Sequence, residues 1–194
     1  MTTRERIIIA AMRLFADKGY QSTSVADILG AAEANAGSLY HAFPTKQDVL
    51  IAVLEAYRDG IGEMLLAPSW GHLADPVEQV FALLAAYRAA LVQTDCLYGC
   101  PIGSLALELH EPDPPVRALL AANFDAWKAA VRDRVEAAGA RLAGADPHQL
   151  ATFVLTVMEG AVMQARTHRS IATFDACVAS LRDYFDRLEQ EDDR

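Results

Sequence analysis

Residues 23–46, TSVADILGAAEANAGSLYHAFPTK, restrict what this chain can fold into more than any other stretch. Thr23 and Ser24 are residues that favour helix N-caps, and Ser24 with Asp27 three positions on has the spacing of a capping box. Val25, Ile28 and Leu29 then fall at helical spacing and give one buried face. Ala31 and Ala32 are small enough for close helix packing. Asn35 is suited to cap a second helix, whose Leu39 and Phe43 lie four apart on one side. Pro44 biases Phe43 away from helical geometry and stops that helix. Thr45, with Asp48 three on, starts the next. Two short helices across a tight turn, sharing one apolar face, predict a helix-turn-helix.

The surrounding segment, RERIIIAAMRLFADKGYQSTSVADILGAAEANAGSLYHAFPTKQDVLIAVL, resembles the N-terminal DNA-binding domain of TetR-type transcriptional repressors. The resemblance is carried by the Ala-x-x-Leu-Phe run ending in Gly19-Tyr20 and by the helix start Thr23-Ser24-Val25. It continues through Gly37-Ser38-Leu39-Tyr40-His41-x-Phe43-Pro44-x-Lys46. Downstream, Gly99-Cys100-Pro101-Ile102-Gly103-Ser104-Leu105 is similar to a segment of the drug- and flavonoid-responsive branch of that family. Two positions depart from the pattern. Glu33 stands where the turn usually has glycine, which makes a left-handed backbone more costly, and Ala36 stands where a polar or basic residue is common.

The family layout implies nine helices: a three-helix head, a long connecting helix, and a larger helical domain that binds a ligand and dimerises through its last two helices. Applied here, it divides the chain into a DNA-binding domain, 1–47, and a ligand-binding and dimerisation domain, 48–194. In the head, Gly37 lets the backbone of a recognition helix approach a base edge, having no side chain in the way. Ser38 is placed to donate to phosphate or base, and Tyr40 and His41 supply a hydroxyl and an imidazole, Tyr40 to phosphate by the resemblance. Lys46 opens the long helix, where its charge and the free N–H groups favour a phosphate; Thr23 has a similar place one helix earlier. With the caps Ser24 and Asn35 these form the expected DNA-binding set, while Leu39 and Phe43 are core.

Charge alone would not have pointed to nucleic acid. The net charge is −9, yet residues 1–58 hold six Lys/Arg and six Asp/Glu, and the remaining 11 basic and 20 acidic residues carry the whole excess. An acidic body on a neutral head weakens non-specific adhesion and helps orient the head toward phosphate. Hydrophobic residues make up 53% of the chain, enough for a sizeable core. Val-Ile-Thr strand runs are missing while Ala, Leu, Glu and Arg dominate, so the composition reads all-α.

A first helix is expected from Thr2 or Thr3 to Gly19, and a long one from Thr45 to about Leu66, followed by a loop at Pro68, Trp70 and Gly71. Asp75-Pro76 and Asp146-Pro147 each pair a cap with a proline at the first helical position. Residues 95–104 read as irregular, 105–109 as a short helix, and Asp113-Pro114-Pro115 as the opening of another. The helix over about 147–168 is apolar nearly all round and is expected to be buried on more than one side. The last runs over about 171–189, with a frayed polar tail.

Positions that could line an apolar cavity are Tyr57, Ile61, Tyr87, Tyr98, Cys100, Phe124, Trp127, Phe153 and Met158, although aromatic and methionine stripes more often form plain core. The three cysteines, Cys96, Cys100 and Cys177, form neither a CxxC pair nor a metal spacing with the histidines. No Ser/His/Asp order, paired carboxylates or phosphate loop supports catalysis, and no cofactor is expected. The leading apolar segment of a signal peptide is missing and no run is long enough to span a bilayer, so a cytoplasmic protein is expected. The function expected is a ligand-responsive repressor that binds palindromic operator DNA as a homodimer and is released by a small apolar or aromatic inducer. The rivals are a redox or hydrolytic protein built on Cys100 with His110, and a helical interaction module without DNA binding.

Overall fold

The computed structural model describes residues 1–142 and 144–192, and among these every regular element is helical. In chain order they are α1 (Thr3–Lys18), α2 (Val25–Ala32), α3 (Ala36–Ala42), α4 (Lys46–Ile61), a π-helical segment (Gly62–Leu66), α5 (Ala67–Trp70), α6 (Pro76–Gln93), α7 (Pro101–Glu108), α8 (Pro114–Ala138), a 3-10 turn (Gly139–Leu142), α9 (Pro147–His168) and α10 (Ala172–Asp192). The frayed tail expected at the end of the chain falls, for residues 193–194, outside the described residues.

The starts follow local chemistry. Thr2 and Glu5 form a reciprocal capping box, Thr2 N donating to Glu5 Oε2 at 2.7 Å and Glu5 N to Thr2 Oγ1 at 3.2 Å. Ser24 with Asp27 repeats it, as does Thr45 with Asp48. Asp75 and Asp146 each cap a helix that has proline in its first turn. Each cap satisfies N–H groups that have no partner within the helix, and its loss costs about 1 kcal/mol.

Two expectations are corrected. Pro68 does not end the long helical run: α4, the π-helical segment and α5 follow one another without a break to Trp70. A proline in regular α-helix clashes with the carbonyl four residues back. The wider π register just before it moves the hydrogen bonds, with Ala67 N–H reaching Gly62 O. Helix α7 also begins four residues earlier than expected, because Pro101 is suited to a helix start, where its missing N–H needs no partner.

By compactness the chain forms two units, residues 1–60 with 101–124, and residues 61–100 with 125–194. In the first, α1 packs against α2, α3 and α7, around buried Ile7, Phe15, Ile28, Leu39, Phe43, Leu50 and Val53. Full burial of such a side chain contributes roughly 1.5–3 kcal/mol. Asn123 is buried there and donates to Leu54 O at 3.0 Å and Leu119 O at 2.9 Å, so this internal amide does not lack partners.

In the second unit α9 packs on α10 and both meet α6. Phe81 meets Phe185 edge-on at 5.3 Å, and Arg182 stacks on Phe81 while forking to both Glu78 oxygens. Helix α9 buries Leu150, Val154, Met158, Ala161, Val162 and Ala165 on one side. Its Phe153 and Met163 are 45% and 47% exposed, so the expectation of burial on more than one side does not hold within a single chain.

Candidate nucleic-acid interface

Helix α3 is fixed from beneath. Leu39 is fully buried and Phe43 nearly so, and the Arg4 guanidinium lies 5.1 Å over the Phe43 ring. Asn35 caps the helix by accepting the Ser38 N–H at 2.8 Å. With that face committed to the core, Asn35, Gly37, Tyr40 and His41 are exposed and Ser38 is half-buried. A Cβ at Gly37 would meet only the cap oxygen of Asn35, at 3.4 Å. The chain's own packing therefore gives no reason for glycine on this surface.

The helix before it is held at both ends. Ser24 is exposed and closes its box with Asp27, which also pairs with Lys18 at 2.8 Å. The Lys18 hydrogen bond first, and the Ser24 bonds after it, hold the Asp27 carboxyl well below the usual carboxylate range. At the other end Glu33 is left-handed, at φ 48° and ψ 48°, the geometry for which the turn usually keeps glycine. Arg6 offsets part of that cost by covering the exposed carbonyls: its Nε donates to Ala32 O at 3.1 Å and its Nη2 lies 3.5 Å from Glu33 O.

Thr23 is placed differently from the expectation. Its side chain is buried and its hydroxyl donates to Gly19 O at 2.6 Å, so it braces the turn between α1 and α2 and does not offer that hydroxyl to a phosphate. Lys46 is half-buried at the start of α4. Its Nζ lies 4.2 Å from the centre of the Tyr20 ring and 3.4 Å from Gln21 O. Burial lowers the Lys46 pKa, opposed by the nearby Glu108 charge. Arg6, Tyr20 and Glu108 belong to this region and were missed in the sequence, because their partners lie far along the chain, as with Glu108 and Tyr20, 88 residues apart.

The residues expected to line a ligand cavity divide. Tyr57 and Phe124 belong to the first unit and the other seven to the second, where Ile61 and Tyr98 are half-buried. Cys100, Trp127 and Met158 are buried. Cys100 is hydrogen-bonded to Tyr87 and to Glu159, which was not expected there. Burial pushes the Glu159 carboxyl up, opposed by the Cys100 bond, and it pushes the Tyr87 phenol well up, with Cys100 and Glu159 adding to it. Glu159 Oε1 has no hydrogen-bond partner among the described residues. Gly99 is required by packing, since a Cβ would fall 2.6 Å from Arg166 Cδ and 2.9 Å from Val162 Cγ1. Phe153 lies apart from these buried groups, on an exposed side of α9 and edge-on to Tyr184 at 5.7 Å.

Comparison with known proteins agrees with this geometry. Residues 7–53 match the bacterial regulatory proteins of the tetR family, and residues 76–180 match the C-terminal domain of LmrA/YxaF-like transcriptional regulators. The HTH-type transcriptional regulator Rv0196 of Mycobacterium tuberculosis is 31% identical over 184 residues, 92% of each chain. The regulator YxaF of Bacillus subtilis (strain 168) is 30% identical over 167 residues, 86% of each. The crystal structure of a regulatory protein TetR from Rhodobacter sphaeroides superimposes with a TM-score of 0.84 at 25% identity, covering 94% of this chain and 98% of that one. The chain belongs to the TetR family of transcriptional regulators, with a C-terminal domain of the LmrA/YxaF-like type.

Proposed function

We propose that this regulator is a repressor that binds a palindromic operator as a homodimer and is released by a small apolar or aromatic inducer. The observation that carries the DNA reading is the outer face of α3, where Asn35, Gly37, Tyr40 and His41 are exposed above a core-locked Leu39 and Phe43. Gly37 leaves the backbone open to a base edge, Tyr40 and His41 supply donors, and Lys46 and Ser24 sit at helix starts that favour phosphate. In this reading residues 1–47 contact DNA and residues 48–194 hold the inducer and the second copy, in the cytoplasm.

Dimerisation through α9 and α10 is supported by the exposed Phe153, Met163 and Tyr184 on those helices. Beside them lies an apolar groove of about 510 Å³ lined by Phe153, Val157, Ala176, Cys177 and Leu181. A two-fold axis there places two heads on two half-sites. For the inducer, the support is the buried Cys100, Trp127 and Met158 of the second unit with the half-buried Tyr87 and Glu159 beside Cys100, an apolar group carrying a few polar atoms.

The test is selection of duplexes from a random pool, followed by titration of the enriched duplex with wild type and Lys46→Ala. A symmetric site, weaker binding by Lys46→Ala and a salt slope reduced by about one unit are expected. No enriched duplex, or an unchanged slope in folded Lys46→Ala, would remove the corresponding part of the reading. Release by an inducer requires that operator weaken inducer binding by the same factor as inducer weakens operator binding. If only thiol-reactive compounds release DNA, and Cys100→Ser abolishes that, the switch is covalent.

A further inference from the structure

The turn between α1 and α2 carries an interaction that the reading of α3 does not use. Tyr20 N–H donates to Glu108 Oε2 at 2.9 Å and Gln21 N–H to Glu108 Oε1 at 2.7 Å, so one carboxylate from the end of α7 takes both consecutive amides. Consecutive N–H groups beside a residue of positive φ form a concavity suited to an anion, and Gly19 has φ +83°. Gly19 also makes room for the carboxylate, since a Cβ there would fall 2.9 Å from both Glu108 oxygens. The same turn carries the groups on which Lys46 rests, the Tyr20 ring and Gln21 O. Thr23, which leads into the Ser24 cap of α2, is tied to Gly19 O. One side chain thus fixes the backbone from which the placement of Lys46 and the start of α2 follow.

We propose that Glu108 is a positioning residue for DNA binding: by clamping the Tyr20 and Gln21 amides it sets Lys46 against the operator, so that operator affinity depends on where α7 stands. The clamp does not depend on the DNA reading; its consequence for affinity rests on it.

Two measurements on the full chain separate these parts. Amide hydrogen exchange is followed over residues 19–23 in wild type, Glu108→Gln and Glu108→Ala. Glu108→Ala is expected to exchange at Tyr20 and Gln21 at least about tenfold faster, as for a lost pair of charge-assisted bonds. Glu108→Gln keeps one acceptor and falls between. Unchanged exchange in both variants overturns the clamp without any DNA being present. Operator binding is then measured with the duplex enriched by wild type, for Glu108→Gln, Lys46→Ala and the double variant. Glu108→Gln is expected to bind roughly threefold to tenfold more weakly with a salt slope that falls toward that of Lys46→Ala, and most of that loss disappears in the Lys46→Ala background, the signature of coupled residues. Tighter binding by Glu108→Gln would show a carboxylate merely repelling phosphate, and additive losses would show general loosening; either overturns the proposal. If wild type enriches no duplex, the DNA reading and the operator part of this proposal fail together, while the exchange result still decides the clamp. Should Glu108→Ala fail to fold, the near-isosteric Glu108→Gln carries both measurements.

Discussion

Replacing Glu33 by glycine is expected to stabilise the protein. Glu33 holds φ 48° and ψ 48° at the end of α2, where an L-residue with a side chain costs roughly 1–2 kcal/mol. Glycine removes that cost but loses more backbone entropy on folding, about 0.5–1 kcal/mol. The groups that hold the turn are untouched, since Arg6 reaches the main-chain oxygens of Ala32 and Glu33 and not the carboxylate. The Glu33 amide still bonds to Gly30 O. The net expectation is a gain of about 0.5–1 kcal/mol, or roughly 1–4 °C in Tm for a chain of this size. Glu33→Ala is the control, because it deletes the same charge and keeps the strained backbone. Thermal unfolding of the three proteins, checked for reversibility, decides the matter. If Glu33→Ala gains as much as Glu33→Gly, the effect is electrostatic and the strain argument is refuted.

Gly19→Ala should cost about 2–5 kcal/mol, combining backbone strain at φ +83° with the loss of charge-assisted bonds to Glu108; in a Glu108→Ala background only the strain part, about 1–3 kcal/mol, should remain in the unfolding curves. Phe153→Asp, on the exposed side of α9, should lower the sedimenting mass to that of one chain at micromolar concentration while leaving the helical circular dichroism unchanged. The depressed Asp27 pKa makes its contribution present above the ordinary value of 3.8 and lost as pH falls through the lower folded value. Asp27→Asn should accordingly narrow its Tm deficit relative to wild type as pH is lowered from about 7 into the acid range below the ordinary carboxylate value.

Much of this molecule was legible because its signals are local. The boxes of Ser24 and Thr45 and the Asp-Pro starts at 75 and 146 each need only three or four adjacent residues, and the helices begin where they indicate. The departure at Glu33 was legible through the family resemblance, as a turn position that usually has glycine met by a residue with a side chain. What escaped depends on distant partners. Nothing around Thr23 indicates that its hydroxyl turns to Gly19 O, and nothing near Glu108 points to amides 88 and 87 residues away. The exposure of Phe153 escaped because the apolar pattern of α9 does not distinguish a face covered by its own chain from one left exposed. Pro68 was read as a stop because a π register leaves no mark in a sequence pattern.

The make-up of the first compact unit bears on how such regulators can be re-engineered. It is assembled from two separate stretches, 1–60 and 101–124, so the helix-turn-helix segment is not a self-contained cassette. A chimera that joins residues 1–47 to the sensor of another regulator discards Glu108 and with it the carboxylate that accepts from the Tyr20 and Gln21 amides. Unless the donor sensor happens to offer a carboxylate at the same place, the hybrid inherits a head whose turn is untethered. Transplanting 101–108 together with the head, or installing a glutamate at the matching helix end of the donor, is the design rule that follows.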